Sequence, residues 1–253
     1  MRVKRSAMKK KRFFLLLFVI LVTSAVITIW FDRLESSAYQ TEMREDSNST
    51  GLPNQASSLP NIIDIMNEEA TLQLSLNDVP EYRRYLMNEP DFQTEIDHTH
   101  LEVLKVPSSE TYSMLKYGCG TKACSTLLVK IDARGTHSLP MPEGILQDYK
   151  LSSDYQQVLI RYAYDEGGLV KRQILVAVDL KKLEIIPYAS TDFEEAFMLK
   201  PTWPIISYDW IDNNHFTIET AALETSEYSV LKDWFDANDR ETRKVTIRLS
   251  SLD

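Results

Sequence analysis

Two histidines are the first residues in this chain whose spacing suggests chemistry. His98 and His100 are two positions apart, so on a β-strand their imidazoles would share one face, a spacing that can bind a metal ion. A third ligand is not evident nearby, although Glu95, Glu102 or His215 could approach in the fold. Because this ligand set is incomplete, the sequence predicts no metal ion, and these two histidines are only weak candidates for metal ligands. No other cofactor is predicted.

The chain has only two cysteines, Cys119 and Cys124. An even number of cysteines favours a disulfide in an oxidising compartment, and Gly118 and Gly120 can supply the turn. The loop is short, so its closure would contribute only about 2 kcal/mol. A redox pair is the alternative, but redox motifs usually have two intervening residues and not four. The spacing therefore predicts a structural disulfide at a hairpin tip.

Signatures of catalysis and of phosphate binding are absent from the sequence. No serine lies in Gly-x-Ser-x-Gly, and neither Gly-x-x-x-x-Gly-Lys nor Gly-x-Gly-x-x-Gly occurs. The stretch 165–168 (Asp-Glu-Gly-Gly) lacks the alternating ligands of a calcium loop and is typical of a hairpin turn. A hydrolase with an unrecognised carboxylate site stays an alternative, because any two of the 37 acidic residues could meet in the fold.

Aromatic residues concentrate near the C-terminus. Trp and Tyr are favoured in binding hot spots, but the core of a β-domain uses the same residues. The acidic and aromatic stretch 222–240 interrupts the strand pattern and could be a helix or a loop. If this stretch is exposed, the best candidates for a partner surface are Trp210, Tyr228, Trp234 and Phe235.

The first 31 residues have the pattern of a membrane anchor. Residues 1–12 contain seven basic residues and no acidic one, and Phe13–Phe31 is free of charge. As a helix this run would span about 28 Å, close to the thickness of a bilayer's hydrocarbon core. Basic flanks stay in the cytoplasm, so we expect a single-pass protein of the cell membrane with its C-terminal domain outside. A cleaved signal peptide is the alternative, and it would leave the same domain outside.

Residues 32–60 are polar and show no apolar period, which predicts a flexible stem. A glycosylation sequon at Asn48 would fit a third possibility, a type II protein of the eukaryotic secretory pathway. Of the 28 basic residues, the 21 beyond residue 12 face 37 acidic ones, a net charge of −16. Phosphate backbones repel such a surface, so nucleic acid is not an expected partner.

Residues 61–100 are predicted to form a short helical preface. An apolar stripe close to the helical period is formed by Ile62, Ile63, Ile65, Met66 and Ala70. A second helix is predicted to begin at Asn77 or Asp78 with Pro80 in its first turn, and to end before Pro90.

Residues 101–253 are predicted to be an exported, mainly β domain. Turn signals separate short runs that are rich in β-branched and aromatic residues. These runs are Leu101–Val106, Tyr112–Tyr117, Leu127–Ile131, Val158–Tyr164, Gln173–Leu180, Leu183–Pro187, Phe216–Thr220 and Lys244–Leu249.

Part of this domain is repeated. Leu128–Asp132 matches Leu175–Asp179 at an offset of 47 residues, and a third copy begins at Trp203. A repeat of about 45 residues with four short strands resembles one blade of a β-propeller. The chain has room for about three such units, whereas ring closure needs four or more. The units could form an open curved stack, close a ring as a homo-oligomer, or be β-meanders of a sandwich.

Together these patterns predict a membrane-anchored extracytoplasmic protein that contacts the membrane through Phe13–Phe31. It would bind an unknown protein or a cell-envelope ligand without catalysing a reaction. The alternative is an extracytoplasmic hydrolase.

Overall fold

The computed structural model describes residues 59–66, 71–189 and 200–250, all within the second of two units, Ser57–Asp253. This part of the chain is mainly β with antiparallel sheets, none of which closes into a barrel, and this confirms the coarse fold class predicted above. No helix in the described ranges is both long and apolar enough to cross a membrane. The predicted basic tail, the anchor at 13–31, the sequon and residues 32–58 of the predicted stem lie outside those ranges.

The first described element is a β-hairpin, and the helix predicted from the apolar stripe at 62–66 was wrong. Strands β1 (Ile62–Met66) and β2 (Thr71–Ser75) pair antiparallel. Ile63 and Ile65 are buried and the residues between and beside them are exposed, which is the period of a strand. β-Branched isoleucines favour a strand, and a run this short matches both periods. Ala70, the last residue of the stripe, lies outside the described residues.

Two short helices follow the hairpin. Helix α1 (Pro80–Asn88) has Pro80 in its first turn and ends before Pro90, which confirms the second predicted helix. Helix α2 (Phe92–Asp97) begins after Asp91, whose side chain accepts a hydrogen bond from the Thr94 backbone nitrogen at 3.2 Å.

A continuous antiparallel meander comes next. Its strands are β3 (His100–Leu104), β4 (Thr111–Tyr117), β5 (Cys124–Asp132), β6 (Gly135–Leu151), β7 (Gln157–Glu166), β8 (Val170–Asp179) and β9 (Glu184–Ile185). Strand β6 has 17 residues and changes partner along its length: residues 135–144 pair with β5, and residues 145–151 pair with β7. We call β3, β4, β5 and the start of β6 the first sheet, and the end of β6 with β7, β8 and β9 the second sheet.

A separate four-stranded antiparallel sheet, the third sheet, completes the described fold. It contains β10 (Tyr188–Ala189), β11 (Ile205–Trp210), β12 (His215–Ala221) and β13 (Thr242–Leu249), in the order β10-β13-β12-β11. Helix α3 (Tyr228–Asp236) lies between β12 and β13 along the chain, so a helix occupies the middle of the 222–240 stretch.

The hairpin and the three sheets form successive layers, with a hydrophobic core between each layer and the next. Leu127 of β5 belongs to the core shared with the hairpin and α1, and its neighbour Leu128 belongs to the core between the first and second sheets. Leu159 of β7 and Phe216 of β12 meet in the core between the second and third sheets. Because side chains alternate along a strand, the two middle sheets each contribute to two cores.

The predicted repeat corresponds to equivalent strands. Leu128–Asp132 lies in β5 and Leu175–Asp179 lies in β8, which are the third strands of the first and second sheets. A shift of 47 residues along the sequence therefore aligns strand β5 of the first sheet with strand β8 of the second sheet. Most residues of the third sheet that point away from its core are polar, and they include Thr217, Glu219, Lys244 and Thr246. Ile206, at the irregularity in β11, is an exposed apolar exception. The outer face of this sheet is therefore mainly polar.

Candidate functional site at the junction of the second and third sheets

Five charged or aromatic side chains meet where the second sheet contacts edge strand β11. Strand β6 supplies Asp148 and Lys150, β7 supplies Arg161, and β11 supplies Tyr208 and Asp209. We call these residues the junction cluster. Tyr208 is buried, three members are half-buried, and the Asp209 side chain is 70% exposed. The cluster thus extends from the core to solvent.

Asp148 is the common acceptor in this cluster. Arg161 donates to it twice, from Nε to Oδ1 at 3.1 Å and from Nη2 to Oδ2. The hydroxyl of Tyr208 also donates to Asp148 Oδ1, at 2.7 Å. Lys150 pairs with Asp209, so the two acids and the two bases balance in charge. Such bidentate, charge-assisted contacts are the stronger kind of hydrogen bond in proteins.

Tyr208 lies between the two basic side chains. The centroid of its ring is 5.0 Å from Lys150 Nζ and 5.2 Å from Arg161 Cζ, distances that permit cation–π attraction. Burial, followed by the hydrogen bond to Asp148, raises the pKa of the Tyr208 hydroxyl. The hydroxyl therefore stays protonated at neutral pH and acts as a donor.

The same side chains satisfy the backbone at the free edge of β11, which pairs with β12 on one side only. Arg161 Nη1 donates to the Ile205 oxygen at 2.8 Å, and Lys150 Nζ donates to the Tyr208 oxygen at 2.6 Å. The Ile205 nitrogen donates to Gln173 Oε1 at 2.6 Å. Side chains of the second sheet thus occupy the place of a neighbouring strand, which protects this edge from strand addition.

A second charged group surrounds Lys130 of β5, which is only 2% exposed. Its Nζ is 3.2 Å from Glu110 Oε1 and 3.6 Å from Asp132 Oδ2, and it donates to the Lys181 oxygen at 3.3 Å. The Tyr112 hydroxyl donates to Glu110, and its oxygen also lies 3.1 Å from the Leu180 oxygen. These contacts join the first sheet to the turn between β8 and β9 of the second.

Both carboxylates beside Lys130 are held in their charged form. The hydrogen bond from Tyr112 and the nearby Lys130 lower the pKa of Glu110. Backbone and side-chain hydrogen bonds from Arg134 lower the pKa of Asp132 to about 2. The buried ammonium is thereby neutralised at physiological pH, as burial requires.

The candidate histidines are on the surface and on different elements. His98 follows the last turn of α2, whereas His100 is the first residue of β3. Thr99 between them is buried, with its hydroxyl 2.7 Å from the Tyr82 hydroxyl. The i, i+2 spacing would place both imidazoles on one face of a strand only if both residues belonged to that strand. In the structure only His100 does. No group of three His, Cys, Asp or Glu side chains in the described part of the chain could hold a metal ion.

Cys119 and Cys124 form the predicted disulfide, at the tip of the hairpin between β4 and β5. Gly118 precedes it with a φ of +56°, a left-handed conformation that favours glycine. A Cβ there would also lie 3.2 Å from Cε2 of Tyr85. The hairpin tip that carries the disulfide thus packs closely on Tyr85 of helix α1.

The four aromatic candidates occupy two places. Trp210 is half-buried beside the junction cluster and donates through Nε1 to the Lys150 oxygen at 3.0 Å. The other three lie on α3, where Trp234 is buried, Phe235 is half-buried and Tyr228 is exposed. Of this set, Tyr228 offers the most accessible ring.

No protein-family model, no curated protein and no solved structure matches this chain. Its function has to be argued from its own residues.

Proposed function

We propose that this protein is a single-pass, membrane-anchored extracytoplasmic binding protein for a protein or cell-envelope ligand. The observation that carries the proposed location is the Cys119–Cys124 disulfide, because disulfides persist in oxidising compartments and are rare in the cytosol. The basic residues before Phe13–Phe31 support the same location, because basic flanks of a membrane span stay in the cytoplasm. The domain that follows the proposed anchor would then lie outside.

A binding role, without catalysis, is supported by what the charged side chains do. In the junction cluster they cap the edge of β11, and around Lys130 they join the first two sheets. A carboxyl group that serves as a general acid near neutral pH needs a raised pKa. Every described carboxyl group whose pKa departs clearly from its ordinary value shifts downward: Asp91, Glu110, Asp132, Asp212 and Glu219.

We also infer that the three sheets are blade-like units of an open stack. Support comes from the four antiparallel strands that each sheet contains and from the cores between successive sheets. The first two sheets are sequential meanders, whereas the third has the order β10-β13-β12-β11. The mainly polar outer face of the third sheet favours a stack that ends there over a ring closed by further copies, since terminal repeats need a polar outer face.

The alternative, a hydrolase, would have to use carboxylates that substrate can reach. Asp209 is the best placed of these, because its side chain is exposed and lies beside Lys150 and Tyr208. An Asp209→Asn variant that loses hydrolysis of a cell-envelope polymer, while keeping its fold, would establish this alternative.

The proposed location is tested with protease added to intact cells that carry the full chain. We expect the unit Ser57–Asp253 to be digested without permeabilisation, and thiol labelling without reductant to leave both cysteines unmodified. Digestion only after permeabilisation, together with two free thiols, would show that the domain faces the cytoplasm and would refute the proposal.

The binding role is tested by cross-linking in intact cells through a photoreactive residue placed at Tyr228 or, as a control, at Thr246 on the polar face of the third sheet. A discrete product from the first position that the second does not give would support a partner surface on α3. Identical patterns from the two positions would contradict it.

A further inference from the structure

An exposed apolar surface lies where helix α3 meets the loop between β7 and β8. Tyr228, the first residue of α3, is 36% exposed, and Leu169 in that loop is 50% exposed. The helix and the loop are contiguous, because a Cβ on Gly167 of the loop would lie 3.4 Å from the Tyr228 hydroxyl. We call the surface formed by Leu169 and Tyr228 the α3 face. Contiguous exposed apolar side chains mark interaction sites, whereas isolated ones need no explanation.

The backbone beneath the α3 face is firmly held. Val170, at the start of β8, packs in one buried cluster with Leu231 and Trp234 of α3. Arg172 Nη1 donates to the Ser226 oxygen at 2.8 Å and so fixes the chain just before the helix. The loop and the helix therefore keep one relative position. A surface that is already formed loses little conformational entropy when a partner binds to it.

Acidic side chains flank the α3 face. Six exposed acidic residues lie in the loop, in the helix or just before the helix: Asp165, Glu166, Glu224, Glu227, Asp233 and Asp236. Only Glu166 and Asp236 of these six form ion pairs within the described ranges, with Arg172 and Lys232. The other four leave the surroundings of the α3 face negatively charged.

This concentration of acidic residues is local. On the outer face of the third sheet, the exposed residues Lys244 and Arg248 of β13 are basic. An acidic rim around an apolar contact repels anionic partners and attracts and orients cationic ones. The partner that matches the α3 face in charge is therefore basic and presents an apolar side chain.

We propose that the α3 face docks a basic polypeptide segment of another protein, with one apolar side chain of that segment seated on Leu169 and Tyr228. Lysine or arginine side chains on both sides of that residue pair with the flanking acids and set the orientation of the segment. Tyrosine is among the residues that contribute most to such contacts. The inference rests on the proposed binding role and names the chemistry of the partner.

The test is calorimetric titration of the full chain, in a non-ionic detergent, with the peptide Lys-Lys-Lys-Leu-Lys-Lys-Lys. One control peptide has serine in place of leucine, and another has glutamate in place of every lysine. We expect the leucine peptide to bind about tenfold more tightly than the serine peptide, the effect of burying one leucine side chain. The glutamate peptide should not bind, and added salt should weaken binding of the leucine peptide.

Two variants and a matched control locate the contact. Tyr228→Ser should weaken binding of the leucine peptide about tenfold, and Asp233→Asn should weaken it less and reduce its dependence on salt. The control is Tyr155→Ser. Tyr155 is 45% exposed and follows an acidic residue, Asp154, but it precedes β7, whereas the α3 face lies beyond the other end of that 10-residue strand. This variant should bind the peptide like the wild type.

Equal affinities of the wild type and Tyr228→Ser for the leucine peptide would overturn the docking site, as would equal affinities of the wild type for the leucine and serine peptides. A full chain that is dimeric, and that Tyr228→Ser makes monomeric, would also overturn it, because a second copy would then cover the α3 face. The protease and cross-linking experiments on intact cells do not involve the peptide, so failure of this site and failure of the proposed function are distinguishable.

Discussion

Arg161 and Asp148 face each other across neighbouring strands of the second sheet and form two hydrogen bonds. A third nitrogen of the same guanidinium reaches the backbone oxygen of Ile205 in the third sheet. One side chain therefore joins two sheets and neutralises a half-buried carboxylate. Lysine could not reproduce this contact, because its ammonium lacks the planar fork of donors.

Replacing Arg161 should therefore destabilise the domain strongly. We expect Arg161→Met to lower the free energy of unfolding by about 2–4 kcal/mol, since Asp148 loses its charge partner and the Ile205 oxygen loses its donor. Urea unfolding followed by circular dichroism measures the change. The control is Lys232→Met, which removes an i, i+4 surface pair with Asp236 and should change stability by less than about 0.5 kcal/mol. Equal effects of the two substitutions would refute the role given to Arg161.

The Tyr208 hydroxyl should make a smaller contribution. Tyr208→Phe keeps the ring between Lys150 and Arg161 but removes the donor to Asp148. We expect a loss of about 1–2 kcal/mol in the same unfolding measurement. Tyr155→Phe alters an exposed tyrosine and should stay within about 0.5 kcal/mol of the wild type. A Tyr208→Phe protein as stable as the wild type would show that the hydrogen bond contributes nothing.

Gly144 should not tolerate a side chain. It is the last residue of β6 that pairs with β5, and a Cβ there would lie 3.0 Å from Cζ of Tyr164 and 3.2 Å from Cβ of Tyr162. Gly144→Ala should thus cost about 1–3 kcal/mol of stability through overpacking. At Gly120 the nearest atom to a Cβ is 3.9 Å away, so Gly120→Ala should be close to neutral. Thermal unfolding compares the two, and the reverse order would contradict the proposed close approach.

Acid should weaken the contacts around Lys130. The folded-state pKa of Asp132 is lowered from 3.8 to about 2, so its stabilising effect is complete above pH 3.8 and is lost as the pH falls toward 2. Lys130, Arg134 and His137 are the basic groups that face it. Asp132→Asn should therefore flatten the dependence of the unfolding midpoint on pH in that window.

The control for this pH effect is Arg134→Gln. This variant keeps the backbone nitrogen, which is the main cause of the lowered pKa of Asp132, and loses only the side-chain donor. It should retain part of the acid dependence. A wild type and an Asp132→Asn variant with the same pH profile would show that this carboxylate is not linked to folding.

The disulfide should stabilise the hairpin only modestly. Cys119 and Cys124 are five positions apart, so the double substitution to serine should lower stability by about 2 kcal/mol. Reduction of the wild type with dithiothreitol should produce the same loss and have no effect on the double variant. Complete unfolding on reduction would mean that the bond holds more than this hairpin.

The elements with a clear local pattern were predictable from sequence. Helix α1 begins at its proline, and the strand predicted over 158–164 lies within β7, because β-branched and aromatic residues are dense there. Strand β6 was missed since Pro140, Pro142 and Gly144 interrupt its pattern, and such residues usually end a strand. The helix predicted at 62–66 failed because pairing with β2 decides the conformation of so short a run.

The junction cluster could not be found by the same reasoning. Asp148 and Tyr208 are 60 positions apart along the chain, and neither belongs to a recognisable motif. Their contact depends on the packing of the third sheet on the second, which is a tertiary property. The only local signal is the alternation of Asp148 and Lys150 along β6, and that strand was itself not predicted.

Strand β6 has a consequence for how the domain comes apart. The first part of β6 is an edge strand of the first sheet, and its last part is an edge strand of the second sheet. Unfolding of either sheet therefore displaces a strand to which the other sheet is hydrogen-bonded. The first and second sheets should therefore open together as one cooperative unit, and amide protons on β5 and β7 should exchange with solvent at similarly slow rates.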